Sequence, residues 1–144
     1  MPIIYLIGSL RNPQIPELGI FLREAGFEVF DDWFAAGPIA DDSWQEYEKN
    51  KGTHYKEALK GHAARHVFEF DHYHLNRVDI GVLVLPAGKS GHLELGYLAG
   101  QGKPTYVLFD KEPDRWDVMY QFSEDVFFNK EDLRKELNAK FISF

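Results

Sequence analysis

DIGVLVLPAGKSGHLELG, residues 79–96, decides the fold. Its first half, Asp79 to Leu85, holds the unbroken apolar run IGVLVL closed by Pro86, the pattern of a strand buried on both faces. Its second half opens a segment with Leu95, Leu98 and Ala99 at helical spacing, so a helix is expected from Gly91 to Gln101. Between them lies the loop Ala87 to Ser90, with Ser90 as the expected helix cap. A buried strand leading through a Gly/Ser loop into a helix is the repeating unit of a parallel α/β sheet.

The same pattern recurs outward in both directions. Pro2 to Ile7 is a second continuous apolar run, ending at Gly8-Ser9, and Pro16 to Ala25 is helical in spacing and terminated by Gly26. Phe27 to Phe30, Thr105 to Phe109 and Val126 to Phe128 read as further strands. Trp44 to about Asn76 reads as mainly helical with a break near Gly52, Asp114 to about Tyr120 as a short helix, and Glu131 to about Lys140 as the last helix. Five strands alternating with helices predict one α/β domain over residues 1–144, a doubly wound parallel sheet in three α/β/α layers. In such sheets ligands sit at the carboxyl ends of the strands, beside the switch in strand order.

Composition narrows what that site handles. Sixteen Lys+Arg against 23 Asp+Glu leave a net charge of -7, which disfavours a binder of nucleic-acid polymers. The absence of cysteine excludes thiolate nucleophiles, disulfides and thiolate metal sites. The opening MPIIYLIGSL lacks the charged flank and cleavage pattern of a leader, and no apolar run is long enough to span a membrane. A soluble, cytoplasmic protein with a small, neutral or weakly charged ligand is expected, with no membrane partner.

Three strand ends hold the candidate chemistry. Gly8-Ser9-Leu10-Arg11 follows the first strand but has neither the Gly-x-Gly-x-x-Gly spacing of a dinucleotide site nor the Gly-Lys-Ser/Thr of a P-loop. Gly8 can simply turn the chain there, with Arg11 solvated. Glu94, placed in the first turn of its helix, is expected to stay ionised in the field of the helix dipole, either as a nucleophile or as a surface complement to that dipole. Gly91, Gly96 and Gly100 are expected to allow close approach of the helix to the sheet. Asp71, beside Phe68, Phe70 and Tyr73, is expected to favour its protonated form, as a proton donor or as an ordinary surface residue. Asp79, at the opposite end of the sheet, reads as structural. The stretch from Asp31 to Glu48 holds six carboxylates and no basic residue, which reads as a solvated loop apart from Asp31 and Asp32 at a strand end. Trp33, Trp44 and Tyr47 either close over a flat ring or cover the core. His62 and His66 share a helix face, but no His-Glu-x-x-His or similar ligand set is present, so no metal is expected.

Taken together, Tyr5-x-x-Gly8-Ser9-x-Arg11, Asp71 and LPAGKSGHLELG at 85–96 resemble the nucleoside 2-deoxyribosyltransferase superfamily, which includes related 2'-deoxynucleoside 5'-phosphate N-hydrolases. The resemblance runs from the first strand to Met119. It implies a flavodoxin-like fold, no cofactor, and a retaining double displacement. By that resemblance Glu94 attacks C1' of a deoxynucleoside, Tyr5 orients its carboxylate, and Asp71 assists proton transfer at the departing base, before a free nucleobase or water takes the sugar. Gly8, Ser9, Arg11, Asp31, Gly88, Ser90, Asp117 and Met119 are expected around the substrate. The resemblance also implies a homodimer or larger homo-oligomer in which a neighbouring subunit completes each site. Two departures bear on the substrate. Phosphate-recognising relatives carry Ser where this chain has Gly88 and Asp117, and Asp117 would repel a 5'-phosphate. The Gly-Ser-Leu-Arg loop leans towards the hydrolases, and Lys89 offers a cation to an anion. A deoxyribosyl transfer between bases is therefore expected, with N-glycoside hydrolysis as the alternative and a non-catalytic nucleotide-sensing module as a third reading.

Overall fold

The computed structural model describes residues 1–142. Strand β3, Ile80–Val84, is buried at every position because helices cover both faces of the sheet it belongs to. It lies at the centre of a five-stranded sheet of order β2-β1-β3-β4-β5, with β1 at Ile3–Ile7, β2 at Glu28–Phe30, β4 at Thr105–Leu108 and β5 at Asp125–Phe127. Every pairing is parallel, with Tyr5 opposite Phe30 on one side and Gly81 on the other, and Leu83 opposite Val107. The strand order reverses between β1 and β3, as the doubly wound, flavodoxin-like reading required.

Alternation along the strands divides the core in two. Ile4, Leu6, Val82, Val84, Tyr106 and Leu108 face a layer formed by α1, Gln14–Glu24, and α6, Lys130–Phe141, through Leu18, Leu22, Leu133 and Leu137. Tyr5, Ile7, Leu83 and Val107 face the opposite layer, formed by α4, His62–Arg77, and α5, Lys89–Gly100, through Leu75, Leu95 and Leu98. Gly81 belongs to this second face, where an added methyl group would stand 2.5 Å from Leu98 Cδ1.

Several element boundaries differ from the sequence reading. α1 begins at Gln14, so Pro16 lies in its first turn, where a missing N–H costs nothing. The long helical stretch is three helices. α2 spans Ala40–Asn50, α3 spans Tyr55–Ala58, and α4 begins after Gly61; the first break falls at Gly52, with φ +79°, and the second was not anticipated. The expected helix from Asp114 is a 3-10 turn at Val118–Phe122. Among the described residues no helix is long and apolar enough to cross a membrane.

Candidate active site

β1 places the Tyr5 side chain on the α4/α5 face, buried to 1% exposure. Its hydroxyl donates to Glu94 Oε2 at 2.7 Å, joining residues 89 positions apart in sequence. α5 supplies Glu94 from its second turn. The helix begins at Lys89 with Gly88 as its cap and no side-chain cap bond, so Ser90 is an exposed first-turn residue. That corrects the reading of Ser90 as the cap and of Glu94 as a first-turn carboxylate. Gly91 alone of the three helix glycines approaches the sheet, where a methyl group would stand 3.2 Å from Leu83 and 3.3 Å from Ile7; Gly96 and Gly100 face open space.

The electrostatic expectation for Glu94 is corrected with it. A dipole acts within the first turn, and Glu94 lies beyond it. Burial dominates instead and raises the Glu94 carboxyl to about 7, against the pull of the Tyr5 hydrogen bond and with a further push from the charge of Asp71. Asp71, on α4, is raised to about 6 by burial, in the direction its aromatic surroundings suggested. Phe68, Phe70 and Tyr73 are nonetheless largely exposed; Phe70 reaches inward to pack on Phe30 and His74. Burial, then Glu94 and then Asp71, drive the Tyr5 phenol far above its ordinary value, so it remains a proton donor. The result is two carboxyl groups that titrate near neutrality beside a fixed hydroxyl, on three elements distant in sequence.

A cavity of about 330 Å³ opens at the switch point, between the loop after β1 and the loop after β3. It is lined by Ser9, Arg11, Asn12, Pro13, Pro86, Ala87 and Gly88. Gly8 turns the chain beneath it, packed so closely that a methyl group would stand 2.7 Å from Ile15 Cδ1. Ser9 Oγ accepts from the Arg11 backbone N–H at 3.1 Å. Asn12, unremarked in the sequence, is 5% exposed, and its Nδ2 is buried without a partner. Arg11 is not the free cation that a strand-end loop suggests. Its guanidinium donates to both oxygens of Asp41, at 2.9 and 3.3 Å, and to Asp42 at 3.0 Å.

Other expected site residues lie apart. Asp31 is held by Arg23 of α1 through contacts of 2.6 and 3.3 Å, and a methyl group on Gly19 would overlap its carboxylate. It therefore faces the α1 layer, away from Tyr5 and Glu94. Asp117 accepts from the Met119 backbone N–H at 2.8 Å and lines a second cavity of about 180 Å³ with Phe109, Trp116 and Tyr120, while Met119 is exposed. Asp79 accepts from the Ile3 N–H at 2.8 Å and so pins β1 beside the start of β3. Trp33 donates to the Leu6 carbonyl at 2.8 Å and packs against both halves of the core. Among the described residues no group of three or more His, Asp or Glu is arranged to hold a metal ion.

His92 was also missed by sequence reasoning. Its Nδ1 lies 2.8 Å from the Gly88 carbonyl, which can only accept, so Nδ1 carries the proton and Nε2 accepts from Tyr120 Oη at 2.8 Å. The start of the Glu94 helix is thereby tied to the 3-10 turn at Val118–Phe122.

No family model matches the sequence, and no curated protein matches it. Solved structures do. A 2-deoxyribosyltransferase from Bacillus psychrosaccharolyticus superposes with a TM-score of 0.63 and 19% identity, covering 92% of this chain and 90% of that one. The structure also matches a CMP N-glycosidase from Clostridium botulinum, with a TM-score of 0.55, 15% identity, and coverage of 94% and 98%. The chain has the fold of these two enzymes. At such identities the likeness is one of architecture, and what passes over the sheet edge is a matter of the side chains described above.

Proposed function

We propose that the protein cleaves the N-glycosidic bond of a 2'-deoxyribonucleoside and passes the sugar to a second nucleobase. The observation that supports this most is the Tyr5–Glu94 hydrogen bond, with Asp71 close enough for its charge to raise both groups. With one proton on the carboxyl pair, that proton rests mainly on Glu94, whose carboxyl stands at about 7 against about 6 for Asp71; the reactive arrangement is the minor one, with Glu94 ionised and the proton on Asp71. A Glu94 oxygen forms a bond to C1' while the bond from C1' to the base nitrogen breaks; the electron pair leaves with the base, which takes the Asp71 proton. An acceptor base then attacks C1', gives its proton to Asp71 and releases Glu94. The Tyr5 hydroxyl, unable to ionise, holds the carboxylate while its charge is consumed and restored.

The reading draws further support from the fold shared with an enzyme named a 2-deoxyribosyltransferase. Hydrolysis is the second reading, favoured by the Gly8-to-Arg11 loop and by the fold shared with a CMP N-glycosidase over nearly the whole of that chain. Incubation with deoxyinosine and free adenine separates them. Deoxyadenosine formation is expected for transfer; hypoxanthine released without deoxyadenosine would replace transfer with hydrolysis, and no cleavage of either kind would remove both.

A further inference from the structure

Among the described residues, Arg11 is the one charged side chain lining the cavity of about 330 Å³ at the switch point. A guanidinium in that place ordinarily recruits an anion, because its planar fork matches phosphate and carboxylate oxygens. Here the fork is already filled from within the chain, by Asp41 through two nitrogens and by Asp42 through one. Two carboxylates face one guanidinium, so the local charge is negative where an arginine alone would make it positive.

The arrangement is fixed rather than incidental. Asp41 and Asp42 lie in the first turn of α2, where the helix dipole favours negative charge, and Asp41 Oδ1 also accepts from the Asp42 N–H at 3.0 Å. The Arg11 hydrogen bond holds the Asp41 carboxyl below the ordinary range, so it remains ionised through neutral pH. Further along, α2 buries Glu48, 5% exposed, and the Trp44 indole nitrogen, which has no hydrogen-bond partner. The ion pairs themselves are half-exposed, at 50% for Arg11 against 58% and 67% for its partners, and contribute little to stability. Their consequence lies in what the cavity repels.

We propose that Asp41 and Asp42, acting through Arg11, are specificity-determining residues that bar anionic substrates, so that an uncharged nucleoside is accepted and its 5'-monophosphate refused. Specificity can be built from a repulsive element against the wrong ligand as well as from added attraction to the right one. The inference rests on the proposed function for the kind of ligand involved.

The test reads binding without turnover, by tryptophan fluorescence of the full chain titrated with deoxyadenosine and with deoxyadenosine 5'-monophosphate. Wild type is expected to favour the nucleoside by about tenfold or more at low salt. The double variant Asp41→Asn/Asp42→Asn is expected to lose that preference through a gain of about tenfold for the monophosphate, and adding Arg11→Gln to it is expected to abolish the gain. Equal wild-type affinity for the two ligands, or an unchanged ratio in the double variant, overturns the proposal. Failure to bind either ligand overturns both this proposal and the functional reading. Discriminating binding without glycosidic cleavage overturns the enzymatic reading alone.

Discussion

The Tyr5 hydroxyl lies 2.7 Å from Glu94 Oε2, a hydrogen bond from the centre of β1 to the second turn of α5. It is the contact that lowers the Glu94 carboxyl while burial and Asp71 raise it. Tyr5→Phe keeps the ring and removes only the donor. The Glu94 carboxyl then rises above about 7, and the limb of the rate profile that reports its ionisation moves to higher pH. A loss in kcat of roughly 10- to 100-fold is expected, in keeping with one hydrogen bond to a reacting charge. Rate profiles of both proteins check this, and an unmoved limb would show that the hydroxyl does not tune the carboxylate.

For the proposed reaction, Asp71 at about 6 and Glu94 at about 7 make the singly protonated pair the working form. Below that range both carry protons and no nucleophile exists; above it neither does and no acid remains. A bell-shaped profile centred between about pH 6 and 7 is expected for wild type. Asp71→Asn should convert the bell to a single rising limb and lower kcat by about 100-fold or more on a poor leaving group. A substrate with an activated leaving group should recover most of that loss. Equal losses on both substrates would show that Asp71 does not protonate the base.

Burial of Glu94 has a cost in stability whose sign follows from its raised carboxyl. The folded protein holds this proton up to about pH 7, whereas a free glutamate releases it near 4.5. The stability that protonation supports is present below pH 4.5 and lost as pH rises through 7. Glu94→Gln is therefore expected to be more stable than wild type at pH 8, by about 1–3 kcal/mol, and to show no such advantage at pH 4. Urea unfolding at the two pH values measures it.

Asp31 is a test of a different kind, because its carboxylate is committed to Arg23 at 2.6 Å in the α1 layer. Asp31→Ala should cost about 1 kcal/mol in unfolding free energy, because the half-exposed Arg23 guanidinium loses its carboxylate and keeps only its bond to the Val29 carbonyl. The Michaelis constant should stay within about twofold, since the energy is lost from the fold. A large rise in that constant with unchanged stability would place Asp31 at the substrate instead.

The central strands were legible because β1, β3 and β4 are buried on both faces and so write themselves as unbroken apolar runs. The helix starts were not. α1, α2, α4 and α5 are preceded by Pro13, Ile39, Gly61 and Gly88 at the cap position, none of which makes a side-chain cap bond that residue type could announce. In the site, Tyr5, Asp71 and Glu94 were visible as residue types in order, and Arg11 as a cation on a strand-end loop. Asp41 and Asp42 looked like part of a solvated acidic stretch, because their partner is 30 and 31 residues away. Sequence alone determined the doubly wound parallel sheet, since buried strands and amphipathic helices depend on local pattern, and it marked Glu94 and Asp71 as candidate carboxylates. Tertiary structure decided the protonation of Glu94 and the neutralisation of Arg11. Desolvation and charge pairing come from whatever the rest of the chain packs against a group, and that is set only when the chain has folded.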